Sequence, residues 1–151
     1  MAQNLTFLLV DDDADDIFLF REVLSGVAPE INLRTASNGQ EALEVLSREI
    51  NHLPDLIFLD LNMPRMDGKQ CLTELKNIDR LKGIPVIIYT TSSHSRDVEE
   101  TMQLGAISFI TKPSHIKDLK AILTTLSANA QDGLGTALRT LSDTQATLIV
   151  C

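Results

Sequence analysis

Short apolar runs alternate with amphipathic stretches along this chain, and that alternation constrains the fold more than any other feature. The clearest runs are four to six residues long, which suits strands buried on both faces of a parallel sheet. We predict strands at residues 5–10, 31–36, 56–59, 86–89 and 107–111. Because a helical pattern follows each run, the sequence predicts an open α/β sheet with right-handed crossovers.

The intervening stretches repeat their apolar residues at three or four positions, as helices with one buried face do. The second helix follows the Asn38–Gly39 turn, the fourth ends at Gly105, and the fifth comes after Pro113. The predicted buried faces are, in chain order, Ile17, Phe18, Phe20, Val23 and Leu24; Ala42, Leu43 and Leu46; Cys71, Leu72, Leu75 and Ile78; Val98 and Met102; and Ile116, Leu119, Ile122, Leu123 and Leu126.

The composition excludes several classes of function. The chain has 151 residues, a net charge of -8 and only 13 Lys and Arg, so it cannot form a basic face for nucleic acid. Cys71 and Cys151 lack disulfide-framework or metal-site spacing, which indicates a reducing compartment. The apolar run near the N-terminus follows no basic region and is too short for a signal peptide or membrane span. We expect a soluble cytoplasmic domain.

Polar side chains follow the predicted strands at the edge where functional groups of open α/β sheets gather. Asp11 and Asp12 follow the first strand, Asp60 the third, Thr90 the fourth and Lys112 the fifth. A single Asp there is commonly a helix cap or turn former, but grouped carboxylates repel and normally require a cation or raised pKa values. Such oxygen ligands suit Mg²⁺, and a carboxylate can carry a phosphoryl group. The grouping predicts a phosphoryl-transfer site.

Four segments carry these residues: Leu-Leu-Val-Asp-Asp-Asp at 8–13, Leu-Asp-Leu-Asn-Met-Pro-Arg-Met-Asp-Gly at 59–68, Tyr-Thr-Thr-Ser at 89–92 and Phe-Ile-Thr-Lys-Pro at 109–113. In this order they resemble the response-regulator receiver family, over about residues 5–127. The resemblance implies a flavodoxin-like, doubly wound, five-stranded parallel sheet in order 2-1-3-4-5 with helices on both faces. It also implies a single-domain response regulator of a two-component or phosphorelay system, charged by a histidine kinase or phosphotransfer protein, that then acts on a downstream protein.

The resemblance assigns the phosphoacceptor and the metal ligands. Asp60 would accept the phosphoryl group and contribute to the Mg²⁺ site. Asp12 would bind Mg²⁺ directly, Asp11 mainly through water, and the backbone carbonyl of Asn62 would complete the protein ligands. Asn62 and Ser92 lie at positions that tune hydrolysis of the acyl phosphate in this family.

The resemblance also assigns the groups that respond to phosphorylation. Thr90 would bond one phosphoryl oxygen and Lys112 would pair with another, and the Lys112–Pro113 peptide bond is expected to be cis. Phe109 stands where the family often has Tyr. Because Phe has no hydroxyl to keep it in water, we predict that Phe109 points inward even without phosphate.

Three further acids follow the first strand. Asp13, Asp15 and Asp16 lie where the first helix begins, and acids in a first turn favour the positive end of the helix. We therefore expect them to have a local capping role and not to bind metal.

The chain continues beyond the receiver, which we place at residues 1–127. In the extension, 128–151, Leu134, Leu138 and Leu141 follow helical spacing, and 146–150 reads as a short strand or an apolar tail. A frayed terminus is one interpretation. The other is that the tail packs on the domain or on a second copy in a homodimer, pairing along a sheet edge.

The resemblance suggests a signalling face made of the fourth helix, fifth strand and fifth helix.

Alternative functions meet specific objections in the sequence. Aspartyl-phosphate phosphatases typically carry a second Asp two residues after the nucleophile, where this chain has Asn62. A flavodoxin would need a Ser/Thr/Gly phosphate loop after the first strand, but that loop is acidic here. A degenerate receiver acting as a scaffold would lack chemical groups that this chain retains.

Overall fold

The computed structural model describes residues 4–49, 51–145 and 148–150. Strands and helices alternate from β1 to α5, and a final helix and strand follow. Their bounds are β1 Thr6–Val10, α1 Ala14–Val27, β2 Asn32–Ala36, α2 Gly39–Arg48, β3 Leu56–Leu59, α3 Gly68–Asn77, β4 Val86–Thr90, α4 Ser95–Gln103, β5 Ser108–Thr111, α5 Ile116–Asn129, α6 Leu134–Thr144 and β6 Leu148–Val150.

Five parallel strands form the sheet in the order β2-β1-β3-β4-β5, which confirms the predicted fold class. The order reverses at β1, because β2 lies on one side of it and β3 on the other. A sixth strand, β6, pairs with β5 in the antiparallel direction and extends the sheet by one strand. The predicted five-stranded sheet is therefore present, with one addition at the β5 edge.

The sheet separates two apolar clusters, so its inner strands are buried on both faces as predicted. One cluster joins Phe7, Phe58 and Tyr89 to α1, α5 and α6, and the other joins Leu59 and Phe109 to α2, α3 and α4. Alternate residues of each strand point to opposite faces, which explains why a continuous apolar run is required.

Two residues depart from the predicted helix faces. Phe18 is 63% exposed, whereas Phe20 is fully buried. Two residues along a helix are separated by about 200° around its axis, so these two side chains could not share one face. Ile116, the first residue of α5, is 59% exposed. Both predictions of burial were wrong.

Helix α6 packs against α5, and β6 returns to the sheet. Ala137, Leu138, Leu141 and Leu148 are buried, and the last three belong to the α1 and α5 side of the core. Residues 146 and 147, between α6 and β6, and Cys151 lie outside the described residues. The boundary at residue 127 and a contact with a second copy remain predictions.

Within the described ranges, no helix is both long enough and apolar enough to cross a lipid bilayer. Cys71 is a free, buried thiol in α3, and burial raises its pKa to about 12. This thiol is therefore unreactive at neutral pH.

Candidate functional site

Three carboxylates meet at the carboxyl edge of the sheet, where β1 and β3 end side by side. Asp11 N donates a hydrogen bond to Ala36 O (3.0 Å), and Asp60 N donates one to Val10 O (2.9 Å). These backbone bonds continue the strand ladders by one residue and so fix both acids. Asp11, Asp12 and Asp60 each contribute one oxygen to a group in which all oxygens lie within 4.8 Å of one another. The structure thus brings together the three predicted acids.

Burial differs among the three acids. Asp11 and Asp60 are buried, whereas Asp12 is exposed. Burial raises the pKa of Asp11 to about 6, although contact with Lys112 acts in the opposite direction. The group is therefore enclosed on the sheet side and open to solvent at Asp12.

The ammonium of Lys112 lies among these carboxylates. Its Nζ atom is 2.7 Å from Asp11 Oδ2, 2.7 Å from Asp16 Oδ2 and 3.6 Å from Asp60 Oδ2. Burial alone would lower the pKa of Lys112, but the bonds to Asp11 and Asp16 outweigh it and raise that pKa above its usual value. Lys112 is therefore fully charged and compensates part of the negative charge.

Thr90 ends β4, which lies next to β3 in the sheet. Its hydroxyl is fully buried and has no hydrogen-bond partner among the residues that the structure describes. An unpaired buried hydroxyl costs about 1–3 kcal/mol. The Thr90 hydroxyl at the carboxyl edge of the sheet is therefore suited to donate a hydrogen bond to an oxygen of a ligand.

The loop between β3 and α3 folds back closely on Asp60. Gly68 N donates to Leu61 O (3.0 Å), and a Cβ atom on Gly68 would lie 2.2 Å from the backbone oxygen of Asp60. Only glycine permits this approach. Asn62 is exposed in the same loop, and its proposed metal contact through the carbonyl stays a prediction.

The expected cis peptide bond is absent. Within the described part of the chain no peptide bond is cis, so the Lys112–Pro113 bond is trans. For bonds preceding proline the trans form is favoured by about 0.5–1 kcal/mol. The prediction carried over from the family was therefore wrong here.

Phe109 lies in β5, beside Ile88 of β4. Its side chain is fully buried in the α2, α3 and α4 side of the core. The predicted inward position is present, whereas the role of Phe109 in switching stays a prediction.

The capping role predicted for the three acids after Asp12 was incomplete. Asp13 is the N-cap of α1 and accepts hydrogen bonds from the backbone N–H groups of Asp15 and Asp16. Asp16 also bonds Lys112, a residue 96 positions away. The sequence contained only a weak indication of the bond between Asp16 and Lys112. Asp16 is an acid in the first turn of the helix after β1, and this turn lies near the strand ends, where Lys112 was expected.

A second polar network, which was not predicted, holds the loop after Thr90. The Thr111 hydroxyl donates to Ser92 O (3.0 Å), and the Ser92 hydroxyl donates to Asp97 Oδ2 (2.5 Å). Lys69 of α3 pairs with Asp97 (2.7 Å) and Glu100 (2.8 Å) of α4. The bonds from Lys69 and Ser92 lower the pKa of Asp97. Helix α4 and its preceding loop are thereby tied to α3 and β5.

Comparison with known proteins assigns this arrangement to one family. Residues 7–124 match the model of the response regulator receiver domain. The response regulator Rcp1 of Synechocystis is 37% identical over 116 residues, covering 74% of this chain and 79% of Rcp1. Two other curated relatives are longer, and the chain spans only 25% and 37% of them.

Two solved structures share the fold at 33% identity. The Mn²⁺-bound form of Rcp1 superposes with a TM-score of 0.72 over 82% of this chain and 92% of the other. The phosphorylated cyanobacterial phytochrome response regulator RcpA has a TM-score of 0.75 over 83% and 92%. The matched family residues end before α6 begins.

Proposed function

Because the chain belongs to the response regulator receiver family, we propose that it is a signalling switch in which Asp60 accepts a phosphoryl group. The observation that carries this proposal is the position of Asp60, buried beside two further carboxylates and the Lys112 ammonium. A nucleophile with a counter-charge at hand is what phosphoryl transfer to a carboxylate requires. The phosphorylated structure of a related protein, RcpA, supports the proposal that this chain accepts a phosphoryl group.

The phosphoryl donor that we propose is a phosphohistidine of a histidine kinase or phosphotransfer protein in the cytoplasm. An oxygen of Asp60 attacks phosphorus and forms a new O–P bond. The P–N bond breaks, and its electron pair stays on the imidazole nitrogen of the donor. In the later hydrolysis step, an oxygen of water attacks phosphorus. The O–P bond to Asp60 breaks, its electron pair returns to the Asp60 carboxylate, and inorganic phosphate leaves with the protons of the water. The downstream partner reads the phosphorylated form.

The acidic group fits a divalent cation. Asp11, Asp12 and Asp60 offer hard oxygen ligands, and the exposure of Asp12 leaves room for the waters that Mg²⁺ keeps. We propose that these residues and the carbonyl of Asn62 hold Mg²⁺, in line with the Mn²⁺-bound form of Rcp1. The ion would neutralise charge on the phosphoryl oxygens.

Thr90 and Lys112 would contact the transferred group. The Thr90 hydroxyl has an unused donor, and it would donate to one phosphoryl oxygen. Lys112 would donate to another, since its ammonium already lies 3.6 Å from Asp60. Movement of Thr90 toward the phosphoryl group, with Phe109 held inside, would change the surface around α4 and β5.

Labelling with a small phosphodonor tests the proposal. The chain is incubated with acetyl phosphate and Mg²⁺, and intact-mass spectrometry measures the fraction that carries one phosphoryl group. We expect labelling of the wild type and none of Asp60→Asn. Asp79→Asn is the matched control, because the Asp79 side chain is 95% exposed and its ion pair among the described residues is with Lys82 on the surface. Equal labelling of wild type and Asp60→Asn would refute the proposal.

Removal of metal tests the Mg²⁺ site separately. We expect EDTA to abolish labelling and added Mg²⁺ to restore it. Labelling that persists in EDTA would contradict the metal site and leave the role of Asp60 intact.

A further inference from the structure

Lys112 is held by an acid that the proposed reaction does not use. Its Nζ atom donates a hydrogen bond to Asp16 Oδ2 at 2.7 Å, whereas Asp60 Oδ2 lies 3.6 Å away. The Lys112 side chain is 10% exposed and that of Asp16 35%. The ammonium is therefore closer to Asp16 than to the residue on which it is expected to act.

Asp16 is fixed by the beginning of α1. Its backbone N–H donates to the N-cap side chain, Asp13 Oδ1, at 3.1 Å, and α1 packs against α5. These contacts place the Asp16 carboxylate beside the end of β5, although the two bonded residues are 96 positions apart. The first turn of α1 thus forms one side of the Lys112 site.

The other sides of the ammonium are also occupied. Asp11 Oδ2 lies 2.7 Å from Nζ, and the Tyr89 ring centroid lies 5.7 Å from it. An ammonium has three N–H donors. Asp16 accepts one of them, and Asp11 lies at ion-pair distance, so at least one donor remains for Asp60. The direction of that remaining donor then depends on both contacts.

We propose that Asp16 is a positioning residue that orients Lys112 toward the phosphoryl group on Asp60. This inference rests on the proposed function, because the orientation of Lys112 matters only if Asp60 is the acceptor. Without Asp16 the flexible lysine side chain keeps a single anchor at Asp11, and its free donors are no longer directed. Transfer to Asp60 is then slower.

Asp16→Asn tests this role, with Asp15→Asn as the matched control. Asp15 lies in the same first turn and is exposed, and among the described residues Lys112 pairs with Asp11, Asp16 and Asp60 but not with Asp15. Both changes remove one negative charge near the site, so the control measures the general effect of charge on an anionic donor. We expect labelling of Asp60 by acetyl phosphate to be on the order of tenfold slower in Asp16→Asn than in Asp15→Asn, the size expected for losing a charge-assisted bond. Asp16→Glu, which keeps the carboxylate, should recover most of the rate.

A double variant separates positioning from a merely structural role. In a Lys112→Met background, Asp16→Asn should have no further effect on the labelling rate, because Asp16 acts through Lys112. Equal rates for Asp16→Asn and Asp15→Asn, or an Asp16→Asn effect that persists undiminished without Lys112, would overturn the inference. Failure of the proposed function looks different: wild type would then remain unlabelled, or Asp60→Asn would be labelled.

Discussion

Replacing Leu138 with alanine tests whether α6 unfolds together with the rest of the domain. Leu138 is 1% exposed and lies in the same buried cluster as Phe20 and Phe58. Truncating a fully buried leucine to alanine costs about 2–5 kcal/mol, and the cost falls where the neighbours can close the cavity. Because α6 packs against α5 and can shift toward it to close part of the cavity, we expect a loss of about 3 kcal/mol, in the lower half of that range.

Urea and thermal unfolding followed by circular dichroism measure this loss. For a domain of this length each kcal/mol lowers the melting temperature by roughly 2–4 °C, so Leu138→Ala should lower it by roughly 6–12 °C in a single transition. Thr140→Ala is the control, because Thr140 is exposed on the same helix; its free energy of unfolding should stay within about 0.5 kcal/mol of wild type. A change as small as the control's, or two separate transitions, would refute the inclusion of α6 in the cooperative core.

Three further changes probe the site and its surroundings. Thr90→Val removes the unpaired buried hydroxyl, so it should raise the free energy of unfolding by about 1 kcal/mol in urea while slowing labelling of Asp60; a loss of stability would contradict this. Phe109→Ala empties a fully buried position and should cost about 3–5 kcal/mol in the same assay. The bond to Lys69 lowers the pKa of Asp97, so Asp97 stabilises the fold above its unfolded pKa of about 3.9 and loses this effect as the pH falls through its folded value. Stability curves of wild type and Asp97→Asn should therefore differ at pH 6 and converge in strong acid, and parallel curves would count against the bond.

The sheet and its edge could be predicted because they depend on short-range patterns. Continuous apolar runs report burial on both faces, and parallel strands bring their carboxyl ends to one edge. Asp60 and Lys112 therefore had to approach each other, whatever the details of the loops. The same patterns do not predict which of several nearby acids forms an ion pair with Lys112. Asp16 could be identified as a first-turn acid from its neighbours, but its bond to Lys112 depends on how α1 packs against α5.

Three further features of the structure could not be predicted from the local sequence. Phe18 and Phe20 are both apolar and both in α1, yet one faces solvent and the other the core. The Lys112–Pro113 bond was assigned by family likeness alone, and no local pattern in the chain distinguishes its isomers. Leu148–Val150 has the composition of a strand, but three residues carry no information on whether they pair parallel or antiparallel, or with which edge.

That pairing changes what the β5 side of the domain can offer a partner. In a sheet that ends at β5, the outer backbone groups of this strand are free to accept another strand. Here β6 pairs with Ser108, Phe109 and Ile110 in the antiparallel direction, and Leu148 is only 3% exposed. A partner that adds a strand directly to β5 must first displace β6 and expose Leu148, which costs about 2 kcal/mol in burial alone. A partner that bound this side without displacing β6 would contact α4, α5 and the outer edge of β6, whereas one that paired with β5 would have to supply that energy.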